Sequence, residues 1–441
     1  MTNILRKAFG FTEGVHKIKT EFIAGFSTFL TMAYILAVNP MIFSALPDMP
    51  KGAVFTATAL AAIVSTLVMA FYAKKPFALA PGMGVNAFFV YTVCISMHQT
   101  WQFALTAVFL EGIIFIILSA TKVRTLLVNS IPVSLRNAIA AGIGLFIAFI
   151  GLQGSHIVVS SPDTLVTIGD ISRGPALLAL IGIAITSILL ILKIRGSILI
   201  GILATTIIGF FIKDPSTGEA VTKISGSIVS SPESISPIFC KFEWGSILTM
   251  DMLIVVFTFL FNDIFNTLGT VIGVSYKAGF VDEKGNIDGI DKIFMADAIG
   301  TVFGAVAGTS TTTTYVESAA GVADGGRTGM TAFFTASFFA IAIFFSGIFL
   351  SVPAAATAPA LILVGMMMME PVVRIDWTNF RDAIPAFLSI AIMVCTYSIA
   401  DGILIGSISY VLVYALTGKA KDISLTMYIL AVLFILKYAL I

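Results

Sequence analysis

Long apolar stretches recur along nearly the whole chain, and they limit most strongly what it can fold into. Each run of about 16 to 25 residues is long enough to cross a bilayer as a helix. Seven runs precede a polar stretch from about Lys213 to Glu243, and seven follow it. The sequence therefore predicts an all-α membrane protein with about 14 transmembrane helices. The runs begin near Glu21, Ala53, Phe77, Trp101, Arg136, Gly174 and Ser197, and then near Ser246, Phe294, Gly308, Met330, Ala354, Ile384 and Gly402.

The composition supports a lipid environment and excludes several classes of function. Hydrophobic residues make up 58% of the 441 residues and charged residues 11%, against roughly 25% charged in soluble domains. The net charge of +1 indicates no nucleic-acid partner. The three cysteines and three histidines are scattered along the chain, so no disulfide framework, metal site or cofactor is predicted.

Basic residues predict the orientation, because short cytoplasmic loops collect Lys and Arg. With the N-terminus inside, the basic loops all fall on the inner side, which predicts a multi-pass protein of a bacterial cytoplasmic membrane. These loops carry Lys74, Lys75, Lys122, Arg124, Lys193, Arg195, Lys277, Lys284, Arg327, Arg374, Arg381, Lys419 and Lys421.

The same pattern divides the chain into five segments. We expect a cytoplasmic N-terminal segment over 1–20, a first seven-span repeat over 21–212 and an extracytoplasmic connection over 213–245. A second seven-span repeat is expected over 246–420. The C-terminal hydrophobic segment, 421–441, is either a further span or an interfacial helix.

An odd number of spans in each half places the two halves in opposite orientations, which is the inverted-repeat design of many secondary transporters. The third run of each half is interrupted, by FALAPGMGVNAFFV and by GAVAGTSTTTTYVESAAGV. Gly, Pro and Thr at these densities break helices. Unwound backbone inside a membrane needs protein or a watery cavity around it. Short, broken third and tenth spans are therefore expected to meet at a substrate site.

Two intramembrane carboxylates are the main candidates for function, because acids in spans are costly and usually functional. Glu317 stands in the second broken segment, where its two oxygens suit a planar heterocycle that offers adjacent N–H donors. Asp263 lies inside FNDIFNTLGT and is a candidate for substrate, for a proton or for both, because burial favours its neutral form. A purely structural role remains open for each.

Two further acids are interpreted as structural. Asp297 is expected near a span end as a helix cap, and Glu111, beside Gly112, is expected to brace packing between spans.

The first broken segment, PGMGVNAFF, supplies other contact types. Gly84 allows close backbone approach, Asn86 offers a donor and an acceptor, and Phe88 is a candidate for stacking on an aromatic base.

At these residues the chain resembles the AzgA-like branch of the nucleobase:cation symporters, which are related to the nucleobase-ascorbate transporters. The resemblance covers nearly the whole chain, in order. Its matching pieces are GFSTFLTMAYILAVNP, APGMGVNAFF, RNAIAAGIGLFIAFIGLQ, TFLFNDIFNTLGTVIGV, DAIGTVFGAVAGTSTTTTYVESAAGVADGGRTG and LVGMMMM.

The resemblance implies fourteen helices in two inverted repeats, divided into a core and a gate domain, and a homodimer formed through the gate. It implies uptake of adenine, guanine or hypoxanthine driven by protons. Glu317 and Asp263 would then bind the base and couple it to the proton. The same transfer gives binding roles to Gly84 and Asn86, with Thr313, Thr314 and Ser318 nearby.

One residue departs from the family pattern. Where the eighth span of the family usually carries a second acid, this chain has Asn266. Because an amide cannot take up a proton, the departure leaves open whether the coupling ion is a proton or another cation, and in what ratio.

Three other functions stay open on the sequence. An inorganic-anion transporter of the same fold would have to tolerate two acids at its site. A membrane enzyme would need a catalytic motif, and GxSxG and HExxH are absent from the sequence. A passive channel would conduct without a driving gradient.

Overall fold

The computed structural model describes residues 2–121, 132–224, 227–280, 287–425, 427–429, 431–432 and 435. Over these residues the chain is mostly helical. Helices before the polar connection are α1 Thr2–Phe9, α2 Ile18–Met32, α3 Ile35–Phe43, α4 Lys51–Val68, α5 Met83–Ala87, α6 Trp101–Ala120, α7 Val133–Gly154, α8 Gly174–Ile191 and α9 Ser197–Ile208. Two π-helical segments, Met69–Ala73 and Phe88–Ser96, extend α4 and α5.

The described helices after the connection lie between residues 250 and 416. They are α10 Met250–Ala278, α11 Ile290–Ala307, α12 Ser318–Ala323, α13 Gly329–Ala342, α14 Ser346–Leu350, α15 Ala354–Met368, α16 Phe380–Cys395 and α17 Ile399–Leu416. Short 3-10 turns are Ile343–Phe345, Glu370–Arg374 and Ala420–Asp422.

The described helices fit a multi-pass membrane protein. Nine helical stretches among the described residues are apolar and long enough to cross a bilayer. Two apolar helices, Met83–Ser96 and Ser197–Ile208, are shorter. The first of these lies in the third predicted run, for which a broken span is expected. The count of fourteen and the inverted repeat stay predictions.

The mostly helical class is confirmed, and the described residues add two short strand pairs to it. Strand β1, Leu79–Pro81, pairs antiparallel with β4, Thr312–Thr314. A second pair, β2 Val158–Ser161 and β3 Leu165–Ile168, forms a hairpin in the connection between α7 and α8. The sequence predicts breaks in the β1 and β4 regions, and in the structure the backbone groups freed by these breaks satisfy each other as a small sheet.

The helices pack in two groups. One contains α2, α4, α6, α10, α11 and α13, and the other contains α7, α8, α9, α15, α16 and α17. Contacts between the groups are sparser, and they include α2 with α9. Helix α5, in the first broken segment, contacts α7 of the second group. Each half of the chain contributes first to one group and then to the other. This grouping agrees with a division into two domains, although the segment boundaries predicted above stay predictions.

Several basic residues gather around one surface pocket of about 300 Å³, lined by His16, Lys74, Lys75, Lys292 and Arg327 among others. Lys75 forms an ion pair of 2.8 Å with Asp288, and this contact lowers the pKa of the Asp288 carboxyl group. Charges predicted to lie on the same side of the membrane are thus close together in space.

Some predictions fall outside the described residues. Lys122, Arg124 and Lys284 lie there, as do residues 426, 430, 433–434 and 436–441 of the C-terminal hydrophobic segment.

Candidate functional site

The two broken segments meet, and their contact is the centre of the candidate site. The register of the sheet sets Leu79 opposite Thr314, Ala80 opposite Thr313 and Pro81 opposite Thr312. The Gly82 N–H donates to the Thr311 carbonyl at 3.1 Å. The expectation that the two interruptions come together is therefore confirmed in the geometry.

Side chains extend this contact beyond the strands. The Ser318 hydroxyl accepts a hydrogen bond from the Ala78 N–H at 3.0 Å. The Tyr315 hydroxyl donates to the Pro81 carbonyl at 2.6 Å. Asn86 is fully buried, and its Oδ1 accepts a hydrogen bond from the Ser310 hydroxyl. Each break thus supplies the polar partners that the other lacks, which explains how unwound backbone persists inside the protein.

Glu317 lies just after β4 and immediately precedes α12. Its side chain is partly accessible, and the neighbouring Val316 is 58% exposed. The Tyr34 hydroxyl donates to Glu317 Oε1 at 2.6 Å. Tyr34 is itself 1% exposed, so its hydroxyl contacts the Glu317 carboxylate from the buried side.

Sequence reasoning missed Tyr34 as a functional residue. The signal was present in GFSTFLTMAYILAVNP, which stood out for its polar and aromatic residues, but spacing alone could not pair it with a residue 283 positions away.

Gly84 and Asn266 also present accessible surface. A Cβ atom at Gly84 would lie 2.9 Å from Ile143 Cγ2 and 3.8 Å from Asn262 Nδ2, so α5 can approach α7 and α10 only without a side chain there. The Asn266 amide donates to Thr313 Oγ1 at 3.3 Å. The residue that departs from the family pattern therefore lies at the edge of the site.

Asp263 lies one turn before Asn266 but points elsewhere. It is fully buried and accepts a 3.4 Å hydrogen bond from the Thr301 hydroxyl. Its carboxyl group lies within hydrogen-bonding reach of that of Glu111 on α6. Glu111 is also fully buried and accepts from the Thr311 hydroxyl at 3.2 Å. The structure thus joins a predicted functional acid to one that was interpreted as structural.

The expected position of Asp297 was wrong. Helix α11 begins at Ile290, earlier than the sequence suggested, so Asp297 lies about two turns inside it rather than at its end. It is fully buried and accepts from the Thr267 and Thr314 hydroxyls at 2.9 and 2.8 Å. Asp297 therefore anchors β4 between α10 and α11.

The remaining predicted residues lie behind the accessible surface. Phe88 is fully buried, and its ring packs against Phe259 with centroids 4.8 Å apart. Thr313 and Thr314 are each 1% exposed, and Ser318 is fully buried. Of the eight predicted binding residues, Glu317 and Gly84 have accessible surface, and the other six are buried, with Asp263 next to Glu111.

Next to the paired strands, the accessible groups are the Glu317 carboxylate, the Asn266 amide and the backbone at Gly84. These groups can hydrogen-bond a small planar molecule with donors on one edge. Among the described residues, no cluster of three His, Cys, Asp or Glu side chains has the geometry of a metal site.

Comparison with known proteins places the chain in a family. The Xan_ur_permease family, described as a permease family, matches residues 19–405. A putative permease of Methanocaldococcus jannaschii is 44% identical over 98% of both chains. The guanine/hypoxanthine permease PbuG of Bacillus subtilis is 43% identical over 98% of this chain and 99% of its own. The adenine permease AdeQ of Escherichia coli is 38% identical over 96% of this chain and 94% of its own.

A solved structure shares the fold at low sequence identity. The transmembrane domain of the cyanobacterial bicarbonate transporter BicA matches with a TM-score of 0.63 and 15% identity, over 88% of this chain and 97% of that one. The likeness concerns the fold alone.

Proposed function

The chain belongs to the Xan_ur_permease family, and from that premise we propose that it imports purine nucleobases by proton symport across a bacterial cytoplasmic membrane. The observation that carries the proposal is the position of Glu317. It is a partly accessible carboxylate at the junction of two broken segments, oriented by Tyr34. Relatives named as guanine/hypoxanthine and adenine permeases support the choice of cargo.

Glu317 is the primary cargo contact in this proposal. One of its oxygens is held by Tyr34, and the other accepts from adjacent N–H groups on the edge of a purine. Gly84 leaves the backbone of the first break open to the ring, and Asn266 supplies a donor and an acceptor. An uncharged base loses little on leaving water for such a site, since its polar edge finds partners there.

The buried predicted residues act indirectly. Asn86 and Ser318 join the two breaks. Thr313 and Thr314 fix β4 against α10 and α11, and Phe88 packs against Phe259. Asp263 carries the coupling proton rather than touching the cargo, because its side chain is fully buried. This division separates cargo binding from protonation by about one turn of α10.

We further propose that the N-terminus is cytoplasmic, in line with the basic residues around His16 and Lys74. Core and gate domains would correspond to the two helix groups, and a homodimer would form through the gate.

The test is transport by purified protein in liposomes with an imposed pH gradient. Radiolabelled hypoxanthine should accumulate and then leak out when an uncoupler is added. Unlabelled guanine, hypoxanthine or adenine should compete, and which of them does so best identifies the preferred cargo. Uptake of radiolabelled sulfate or bicarbonate without uptake of hypoxanthine would instead establish an anion transporter.

The anion alternative shares the fold with BicA but fits the site poorly. A carboxylate at the accessible surface repels an anionic cargo. The same assay distinguishes two other outcomes. Flux that is independent of the gradient would indicate a channel, and chemical conversion of the cargo would indicate an enzyme.

A further inference from the structure

We infer that Glu111 and Asp263 together hold one exchangeable proton, so that Glu111 on α6 is a coupling residue of this transporter. The inference rests on the proposed function and extends it to a residue outside the two broken segments. It follows from the positions of the two carboxyl groups and from the partners that surround them.

The pair is enclosed by protein. Both side chains are fully buried, and their carboxyl groups lie within hydrogen-bonding reach of each other. Close packing between α6 and α11 encloses the pair. A Cβ atom at Gly112, next to Glu111, would lie 2.8 Å from Val302 Cγ2. Only glycine permits this approach, which carries the Glu111 carboxyl group into the protein beside α10.

Each carboxyl group has one oxygen with a hydroxyl donor and one without any donor. Thr311 serves Glu111 Oε2, and Thr301 serves Asp263 Oδ2. Glu111 Oε1 and Asp263 Oδ1 are buried and unpartnered. Buried polar atoms without partners are rare, and a proton shared between the two groups supplies the missing donor.

The charges around the pair favour a bound proton. The ion pairs among the described residues involve other acids. On α11, which packs against α6, the neighbouring titratable group is Asp297, which is a third acid. Two ionised carboxylates in contact would repel each other strongly in a medium of low dielectric constant. One proton removes the charge of one group and converts the repulsion into a hydrogen bond.

Strand β4 connects the Glu111–Asp263 pair to the proposed cargo contact at Glu317. Thr311, which contacts Glu111, directly precedes β4, and Glu317 follows it. Thr313 lies in β4 and contacts Asn266 at the accessible surface. In the cycle that we infer, a proton enters from outside and binds the pair while the cargo binds at Glu317. The proton and the cargo are then released to the cytoplasm. The transporter returns to its starting state with the Glu111–Asp263 pair deprotonated.

The test uses Glu111→Gln in the full-length protein, reconstituted in liposomes. With one proton per uncharged cargo, a pH gradient of one unit supports about tenfold accumulation at equilibrium. Glu111→Gln should reduce the ratio to about one, because an amide mimics the protonated pair and cannot release the proton. Exchange of internal for external hypoxanthine needs no net proton transfer and should persist. Glu370→Gln, at an exposed ion pair, serves as the matched control and should accumulate normally.

A second measurement does not depend on the cargo. Infrared difference spectra between acidic and alkaline conditions should show a protonated carboxyl band in wild-type protein, and Glu111→Gln and Asp263→Asn should each remove or shift it. If Glu111→Gln does not fold, Glu111→Asp takes its place and should keep the band and partial accumulation. Tenfold accumulation by Glu111→Gln would overturn the inference, and so would a wild-type protein without the band. Absence of purine transport with the band present would refute the proposed function alone.

Discussion

The hydroxyl of Tyr34 donates a hydrogen bond of 2.6 Å to Oε1 of Glu317. This contact connects the turn between α2 and α3 with the second broken segment, and it orients the accessible carboxylate. Hydrogen bonds to charged groups contribute about 1.5 to 3 kcal/mol, so the contact is strong enough to matter for binding.

Tyr34→Phe should weaken purine binding by about tenfold or more, because the freed carboxylate loses its fixed direction while the ring keeps its packing. Equilibrium binding of radiolabelled hypoxanthine to purified protein measures the change. Tyr72→Phe, at an exposed position, is the control and should bind as the wild type does. An unchanged Kd in Tyr34→Phe would show that Tyr34 does not orient the site.

Glu317→Gln should abolish binding, because one acceptor oxygen becomes an N–H donor that faces the donors of the base. The same binding assay reports the loss, and size-exclusion chromatography checks that the variant is folded. Glu233→Gln changes an exposed glutamate in the same chemical way and should have no effect. Near-normal binding by folded Glu317→Gln would refute the assignment of Glu317 as the cargo contact.

Asp263→Asn should retain cargo binding and exchange but lose accumulation against a gradient. The reason is that the substituted amide cannot exchange a proton, while the accessible surface is unchanged. Uptake measured across a series of pH values should become flat. Asp251→Asn, near the start of the same helix, should keep the wild-type profile. If Asp263→Asn also keeps that profile, the proton is bound elsewhere.

Gly82→Ala should destabilise the protein and reduce uptake. The added Cβ would lie 2.6 Å from Thr313 Cγ2, and overpacking of this kind costs about 1 to 3 kcal/mol. The double variant Gly82→Ala with Thr313→Ser removes that methyl group and keeps the hydroxyl that contacts Thr267. Tm and hypoxanthine uptake should therefore recover in the double variant. Equal damage in both variants would place the strain outside the β1–β4 contact.

The sequence alone determined the membrane environment and the location of the breaks, and it singled out Glu317 as a candidate binding residue. These features follow from local composition: apolar runs of spanning length, Gly and Pro that cannot continue a helix, and an acid that lipid would exclude. They required no knowledge of which segments meet.

Only the tertiary structure decided which residues share a neighbourhood. The pairing of Ala80 with Thr313, and of Glu111 with Asp263, joins segments far apart in the chain. The hydrophobic periodicity of the sequence is local and does not predict such contacts. The direction of a side chain around its helix was equally hidden. Asn266 lies at the accessible surface and Asp263, one turn earlier, is buried against an acid, because the packing of α10 against α6 selects which face of the helix is enclosed.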